Sequence, residues 1–500
     1  MNERLRAVCD MSVATVRENA GLHQYDGVVQ DMSPAGVRAG LARIGGPALD
    51  DPHDDAHLAA FEDAARAFFG ELEMHRRDPM CHLFNLDVTC YERAYAPPEE
   101  LAAARRRQLA AWPDGIQAAI ESLDAVTAPV ARAVLPPLRG LAAGLDPDDP
   151  IERAALAAHQ RLCAHVQVAA DTGDPRATLG GAGLARLMGA QEAITVDLGR
   201  LATLADAERD RLRAMLSEAC KQYDPSRTPA DILAELMTDH PDPDGVLDRA
   251  RHISAEVIAF TRARRLAPYL DGECLVGPSP ASRRWALASL SWAGPEEPDA
   301  PAWYYVTPPD PGWSPEEAEG WLTAFSTALL LPMTVHEVAP GHFAHGRAMR
   351  HAPTPVRRVL QSDAFIEGWA HYMEEVCLEE GFRPGDPRYG IGLAVGALQR
   401  VTRLAVAIGL HTGAMDVAEG TARFVADAYL AEPTAASEAR RGTFDPTYGR
   451  YTWGKLVIRE LRGTAMTRWG ADYSPERFHR ALMDLGSPPL GLLATALERG

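Results

Sequence analysis

Thr334-Val335-His336-Glu337-Val338-Ala339-Pro340-Gly341-His342-Phe343 follows an apolar run from Trp321 to Met333. The run has helical spacing, so the segment predicts a buried helix bearing His336. Five of the sixteen histidines fall between residues 336 and 371, which directs attention here. In the familiar zincin motif two histidines stand four apart, about 40° round a helix, and both rings reach one metal ion. His336 and His342 are six apart. On an unbroken helix that separation gives about 240° and a rise of ~9 Å, and the rings could not share an ion. Proline removes a helical hydrogen bond and glycine permits unusual dihedrals. Pro340-Gly341 therefore predicts a break that swings His342 back toward His336.

A catalytic zinc takes three protein ligands and leaves a fourth position for water. Downstream lies Phe365-Ile366-Glu367-Gly368-Trp369-Ala370-His371-Tyr372-Met373-Glu374. Spacings of four and three put Glu367, His371 and Glu374 on one helical face. Glu367 is the candidate third ligand, with Glu374 and Asp363 as rivals. His371, Glu374 and Asp363 are candidates to orient the ligand histidines from behind. Glu337, next to the first histidine, is the candidate general base, taking a proton from a metal-activated water and returning it to the leaving amine. The expected cofactor is one Zn2+ per chain, since two imidazoles and a carboxylate suit zinc, with manganese and cobalt left open. His345 reads as a partly exposed helix residue, not a ligand.

Working outward, most of the chain predicts helix. Periodic apolar positions mark Pro98 to Leu123, Ile151 to Ala169 and Ala205 to Lys221. Start signals recur at Ser33-Pro34, Thr228-Pro229 and Ser314-Pro315. Strand-like alternation is scarce, with Trp303 to Thr307 the best candidate, and core packing is the expected role of its aromatics. A proline-rich stretch, 277–315, reads as a connecting segment that lines a groove. It divides a mainly helical N-terminal lobe, 1–276, from a site-bearing helical lobe, 316–500.

The formal net charge of −19 argues against nucleic acid as a partner, because phosphate backbones need a basic face. Seven widely spaced cysteines without a Cys-x-x-Cys pair argue against a disulfide framework or a thiolate metal site. The start, Met1 to Arg6, lacks the apolar core of a secretion signal. The apolar stretch around Ala328 to Met333 is far shorter than the ~20 residues that span a bilayer. No membrane partner is expected, and the cytoplasm is the expected location. The oligomeric state is not readable from the chain.

His-Glu-x-x-Pro-Gly-His, followed 25 residues later by Glu-Gly-Trp-Ala-x-Tyr-x-Glu, resembles the bacterial "domain of unknown function 885" family. The likeness continues in Arg403 with Gly409-Leu410-His411, in Glu438-x-Arg440, and in Tyr451-x-x-Gly454-Lys455-Leu456-x-Ile458-x-x-Leu461-Arg462. It also includes Phe478-His479 and Gly486-Ser487-Pro488-Pro489-Leu490, with weaker echoes in Tyr25-Asp26-Gly27, Asp31 to Pro34 and Tyr91 to Pro97. It covers nearly the whole chain as one unit. The family is zincin-like and distantly similar to Taq-type helical metallocarboxypeptidases. The resemblance implies a mainly α, two-lobed helical metallopeptidase fold with a deep central groove, one divalent metal and hydrolysis of peptide or amide bonds. It also implies Tyr451 as donor to a tetrahedral oxyanion, with His411 as the alternative and Tyr448 close enough to be confused with it. Arg403, Arg459 and Arg462 become candidates to clamp a substrate carboxylate. Two departures stand out: Ala407, where the family usually has Asp, and His371, where it usually has an apolar residue.

The leading expectation is a zinc-dependent hydrolase of small peptides or peptide-like amides, carboxypeptidase- or dipeptidase-like. The alternatives are a metal-dependent amidase or related enzyme of specialised metabolism, and a non-catalytic helical binding protein.

Overall fold

Ser33, Thr228 and Ser314 each turn a hydroxyl onto the first turn of the helix that the next proline opens. Ser314 and Glu317 complete a reciprocal capping box, satisfying two donors that a helix start otherwise leaves unpaired. The long periodic segments are helices Pro98–Ser122 and Pro150–Thr172, and a third, α1 (Leu198–Tyr223), begins earlier than expected. The computed structural model describes residues 1–280, 283–284, 286–297 and 299–499, the side chain of 499 excepted. Part of the 277–315 segment therefore lies outside the described residues.

The chain is mainly helical. Its one sheet among the described residues has three strands, β1 (Cys274–Pro278), β2 (Ala288–Ser291) and β3 (Ala302–Val306). The central β3 pairs parallel with β1, Cys274 opposite Ala302, and antiparallel with β2, Ser291 opposite Trp303. The expected strand at Trp303 to Thr307 is thus β3. Tyr304 is fully buried, its hydroxyl 3.2 Å from Thr334 Oγ1, so this aromatic belongs to the core.

Six further helices position the site: α2 (Thr327–Glu337), α3 (His342–Met349), α4 (Asp363–Glu379), α5 (Pro387–Thr412), α6 (Glu432–Phe444) and α7 (Arg450–Trp469). The apolar run before His336 is not one helix. It breaks at Ser326, which is extended (φ −52°, ψ 149°), and α2 starts afresh at Thr327. Close backbone contacts fix the helix packing. A β-carbon on Gly392 would stand 1.8 Å from the Ala328 carbonyl oxygen, and one on Gly454 1.9 Å from that of Ala364. Only glycine lets α5 approach α2, and α7 approach α4, this closely.

Buried apolar residues form several clusters, the largest joining Leu212, Ile232 and Val257 to Phe325, Trp369, Leu404 and Ile458. Residues 184–266 therefore share their core with 302–497, and the expected lobe boundary at 276/277 does not separate two cores. A second cluster holds Trp112, Val134 and Leu162, and a third joins Leu5 and Val16 to Val356 and Leu360. Helix α5 is long and apolar enough to cross a bilayer by composition, unlike Ala328 to Met333, yet 67% of its apolar window is buried. All seven cysteines are free.

Candidate metal centre

Helix α2 ends at Glu337 because Pro340 has no amide hydrogen to continue it. The chain crosses Val338 to Gly341 with the Ala339–Pro340 peptide cis, and α3 starts at His342. At Gly341 a β-carbon would stand 1.9 Å from the His336 carbonyl oxygen, so this close return of the chain requires glycine. Trp369 on α4 donates from Nε1 to the Pro340 carbonyl at 2.9 Å and pins the break to the helix that carries Glu367. The two imidazoles come together as the break predicted, with ring centroids 4.6 Å apart and planes at 80°.

Glu367 Oε2 lies 3.2 Å from His336 Nε2 and 3.4 Å from His342 Nε2. The ligand atoms of His336, His342 and Glu367 all fall within 4.8 Å of one another, a cluster able to hold a metal ion. Behind His336, Nδ1 meets Glu374 Oε1 at 2.7 Å, which directs Nε2 at Glu367. A cation in place of the Nε2 proton would face two imidazole nitrogens and one carboxylate oxygen, a donor set zinc accepts. His342 has no matching partner: its Nδ1 is buried without a hydrogen bond, and its ring sits 6.3 Å from Trp292.

The electrostatics follow from these contacts. Burial and Arg400 oppose charge on His336, but the hydrogen bonds it donates to Glu367 and Glu374 outweigh them and raise its pKa to about 9. Burial likewise opposes charge on Glu367, and both histidines together hold it well below the usual carboxylate range. Glu374, fully buried, is held well below its ordinary value against burial by Arg400, His371 and His336. Burial, reinforced by Lys455, pushes His371 down to about 3; its Nδ1 lies 3.2 Å from Glu374 Oε2 and its Nε2 3.4 Å from Lys455 Nζ. The departure at His371 therefore extends the polar chain behind His336, whereas Ala407 is simply buried in the apolar core.

Glu337 is half-buried next to the break, with Cys274 and Tyr304 close enough to feel its charge. Tyr451 lies at the cluster, its ring 6.2 Å from that of His336, and its hydroxyl pKa is raised by burial and by Glu367. Tyr448 is fully buried and turned toward Gly442 instead. His345 is completely buried, which corrects the partial exposure expected of it; it bonds Ser487 Oγ at 2.8 Å and stands outside the donor cluster, as expected.

Four expected roles are not met by the contacts. His411 has both ring nitrogens engaged, Nε2 with the Gly442 carbonyl at 2.9 Å and Nδ1 with the Leu179 amide at 3.3 Å, leaving no donor for an oxyanion. Arg459 and Arg462 lie ~12 and ~16 Å along α7 from Tyr451. Arg459 pairs with Glu208, and Arg462 with Glu379 and Tyr473. Asp363 bonds neither histidine: burial pushes it up, Arg450 opposes this, and Glu367 and Asp445 add to it. Arg403 does reach Tyr451, with its guanidinium 5.5 Å from the ring, while Glu438 grips it through two hydrogen bonds.

Sequence reasoning missed Arg400. It stands one turn before Arg403 on α5, bonds Glu374 Oε2 at 3.1 Å and approaches His336 Nδ1 at 3.4 Å. The spacing of three from Arg403 was the available signal. It missed Arg450, the residue just before Tyr451 on α7, and Arg441 on α6, which only the tertiary fold brings near.

The fold and the site define a mainly helical protein with a buried His–His–Glu cluster of metal-ligand geometry. The model of the family "Bacterial protein of unknown function (DUF885)" matches residues 15–497, and the chain belongs to that family. No curated protein matches it. Among solved structures it is similar to a candidate lipoprotein of unknown function from Shewanella oneidensis, at 18% identity and TM-score 0.78 over 99% of this chain and 98% of that one. It is likewise similar to a candidate lipoprotein from Colwellia psychrerythraea, at 16% identity and TM-score 0.79 over 99% and 96%. At these identities the likeness concerns the fold.

Proposed function

We propose that the chain is a zinc-dependent hydrolase of peptide or peptide-like amide bonds in small substrates. The observation that carries the reading is the meeting of His336 Nε2 and His342 Nε2, from two helices, on one oxygen of Glu367, with Glu374 orienting the first ring. A structural metal needs no general base, and Glu337 directly follows a ligand with a half-buried carboxylate that makes no side-chain hydrogen bond among the described residues. When bound, zinc polarises a carbonyl and brings the pKa of water toward ~7.

The chain's own residues supply the rest. His336, His342 and Glu367 hold the ion. Glu337 takes the proton of the attacking water and passes it to the leaving nitrogen. Tyr451 donates its hydroxyl to the oxygen that gains charge, among buried groups where such a bond is worth more than in water. The burial of His336 and His342 favours short, flexible substrates over folded proteins.

The test is Glu337→Gln, assayed on short peptides alongside metal analysis. The expected result is one zinc per chain retained and turnover reduced by about a hundredfold or more. Unchanged turnover removes Glu337 as the base.

A further inference from the structure

We infer that the guanidiniums gathered round Tyr451 form a carboxylate pocket, so that the substrate is a short peptide with a free C-terminal carboxylate. This rests on the hydrolase reading and names its substrate class. Arg400, Arg403 and Arg450 hold their guanidinium carbons 5.7, 5.5 and 5.7 Å from the Tyr451 ring centroid. Arg441 approaches from the other side, 5.9 Å from the ring of Tyr448. These four cations come from three helices, α5, α6 and α7, and converge on the residue that stands next to His336.

Glu374 takes Arg400, Glu438 takes Arg403, and Asp445 takes both Arg441 and Arg450. Asp363 also acts on Arg450, and Glu367 is engaged by the two histidines. Donors nonetheless remain. Arg403 spends Nε and Nη2 on Glu438, and Arg441 spends Nε and Nη2 on Asp445, so Nη1 of each makes no hydrogen bond among the described residues. The side chains keep a solvent-touching edge, 17% for Arg400, 12% for Arg403, 29% for Arg441 and 19% for Arg450. Partly exposed cations with spare N–H groups favour an anion, and planar guanidinium matches carboxylate geometry.

The position selects which carboxylate. In a peptide cleaved at its last bond, the terminal carboxylate carbon is three bonds from the scissile carbonyl carbon, roughly 4 Å away. An anion that close must bind beside the metal donors, which is where Tyr451 places this group. A C-terminal amide offers no carboxylate to take those spare donors.

The experiment titrates zinc-loaded Glu337→Gln protein calorimetrically with Ala-Ala-Phe and with its C-terminal amide. The free acid is expected to bind at least about tenfold more tightly. Arg441→Gln, which leaves Asp445 its partner Arg450, is expected to erase most of that preference while amide affinity stays the same. Arg403→Lys, which keeps the charge and loses the planar fork, is expected to weaken acid binding less. Equal affinity for acid and amide, no binding of either, or an undiminished preference in Arg441→Gln overturns the pocket. Wild-type turnover separates the two claims. A protein that prefers the acid but cleaves neither peptide keeps the pocket and loses the hydrolase reading. One that cleaves the amide as fast as the acid keeps the hydrolase reading and loses the pocket.

Discussion

Glu367 and Glu375 stand eight residues apart on helix α4, and each is held below its ordinary pKa against the pull of burial. Their partners differ. Glu367 meets two imidazoles, whose ring nitrogens can ligate a metal. Glu375 meets Lys455, and Arg211 at 2.6 Å, in a cluster that also holds Glu208, 2.8 Å from Lys455 and 3.2 Å from Arg459. Lysine and arginine meet the carboxylates there as ion-pair donors, so that cluster braces the helix, and His371 links it to Glu374. The donors at Glu367 are instead aimed at one point, with an oriented ring behind them. The same helix thus carries a brace and a receptor, and the proton affinity of the partner tells them apart.

The largest expected effect lies in the brace. Lys455 is fully buried, and Lys455→Met leaves two carboxylates short of a cation, at a cost of about 3–5 kcal/mol in unfolding free energy. Burial opposes charge on Glu208, yet Arg211 and Lys455 hold its pKa down to about 2. Its folded pKa is depressed, so its stabilisation is present above the ordinary carboxylate range and lost as pH falls toward that value. Lys455→Met should therefore move acid unfolding to higher pH, read by circular dichroism, while the folded variant still takes up zinc. Loss of zinc binding from the folded variant would merge the two clusters into one.

Next comes Glu374→Gln, which keeps the shape behind His336 but removes the charge. Zinc affinity is expected to fall about 10–100-fold. Competition with a chelator measures it, and an unchanged affinity would show that packing alone orients the ring. The smallest effect on zinc belongs to Ser362, whose hydroxyl accepts from the Phe365 amide at 3.0 Å, capping α4, and donates to buried Glu192. Ser362→Ala should cost about 1–3 kcal/mol in denaturant unfolding and leave zinc affinity within error. A larger change in affinity than in stability would mean that the cap sets the position of Glu367 directly.

What the sequence revealed was local. Ser-Pro and Thr-Pro starts report helix entry within a few residues, and Pro340-Gly341 reports its own break because proline and glycine act on the backbone where they stand. The face shared by Glu367, His371 and Glu374 follows from helical spacing alone. What it hid depends on packing between distant segments. Arg459 and Arg462 share a helix with Tyr451 yet serve Glu208 and Glu379, since the angle of α7 against α1 and α4 decides which face meets which acid. His411 lies in a family-like motif, but Gly442 and Leu179, far off in the chain, take both its nitrogens. The lobe boundary failed as a core boundary for the same reason: α1 spends its apolar face on α5, some 190 residues downstream by the start positions Leu198 and Pro387.

The most direct test is anomalous diffraction at the zinc edge from crystals of the zinc-loaded chain. The account predicts one peak per chain, ~2.0–2.2 Å from His336 Nε2, His342 Nε2 and a Glu367 oxygen. A peak held by other residues, or a loaded crystal with no peak between those three, contradicts it.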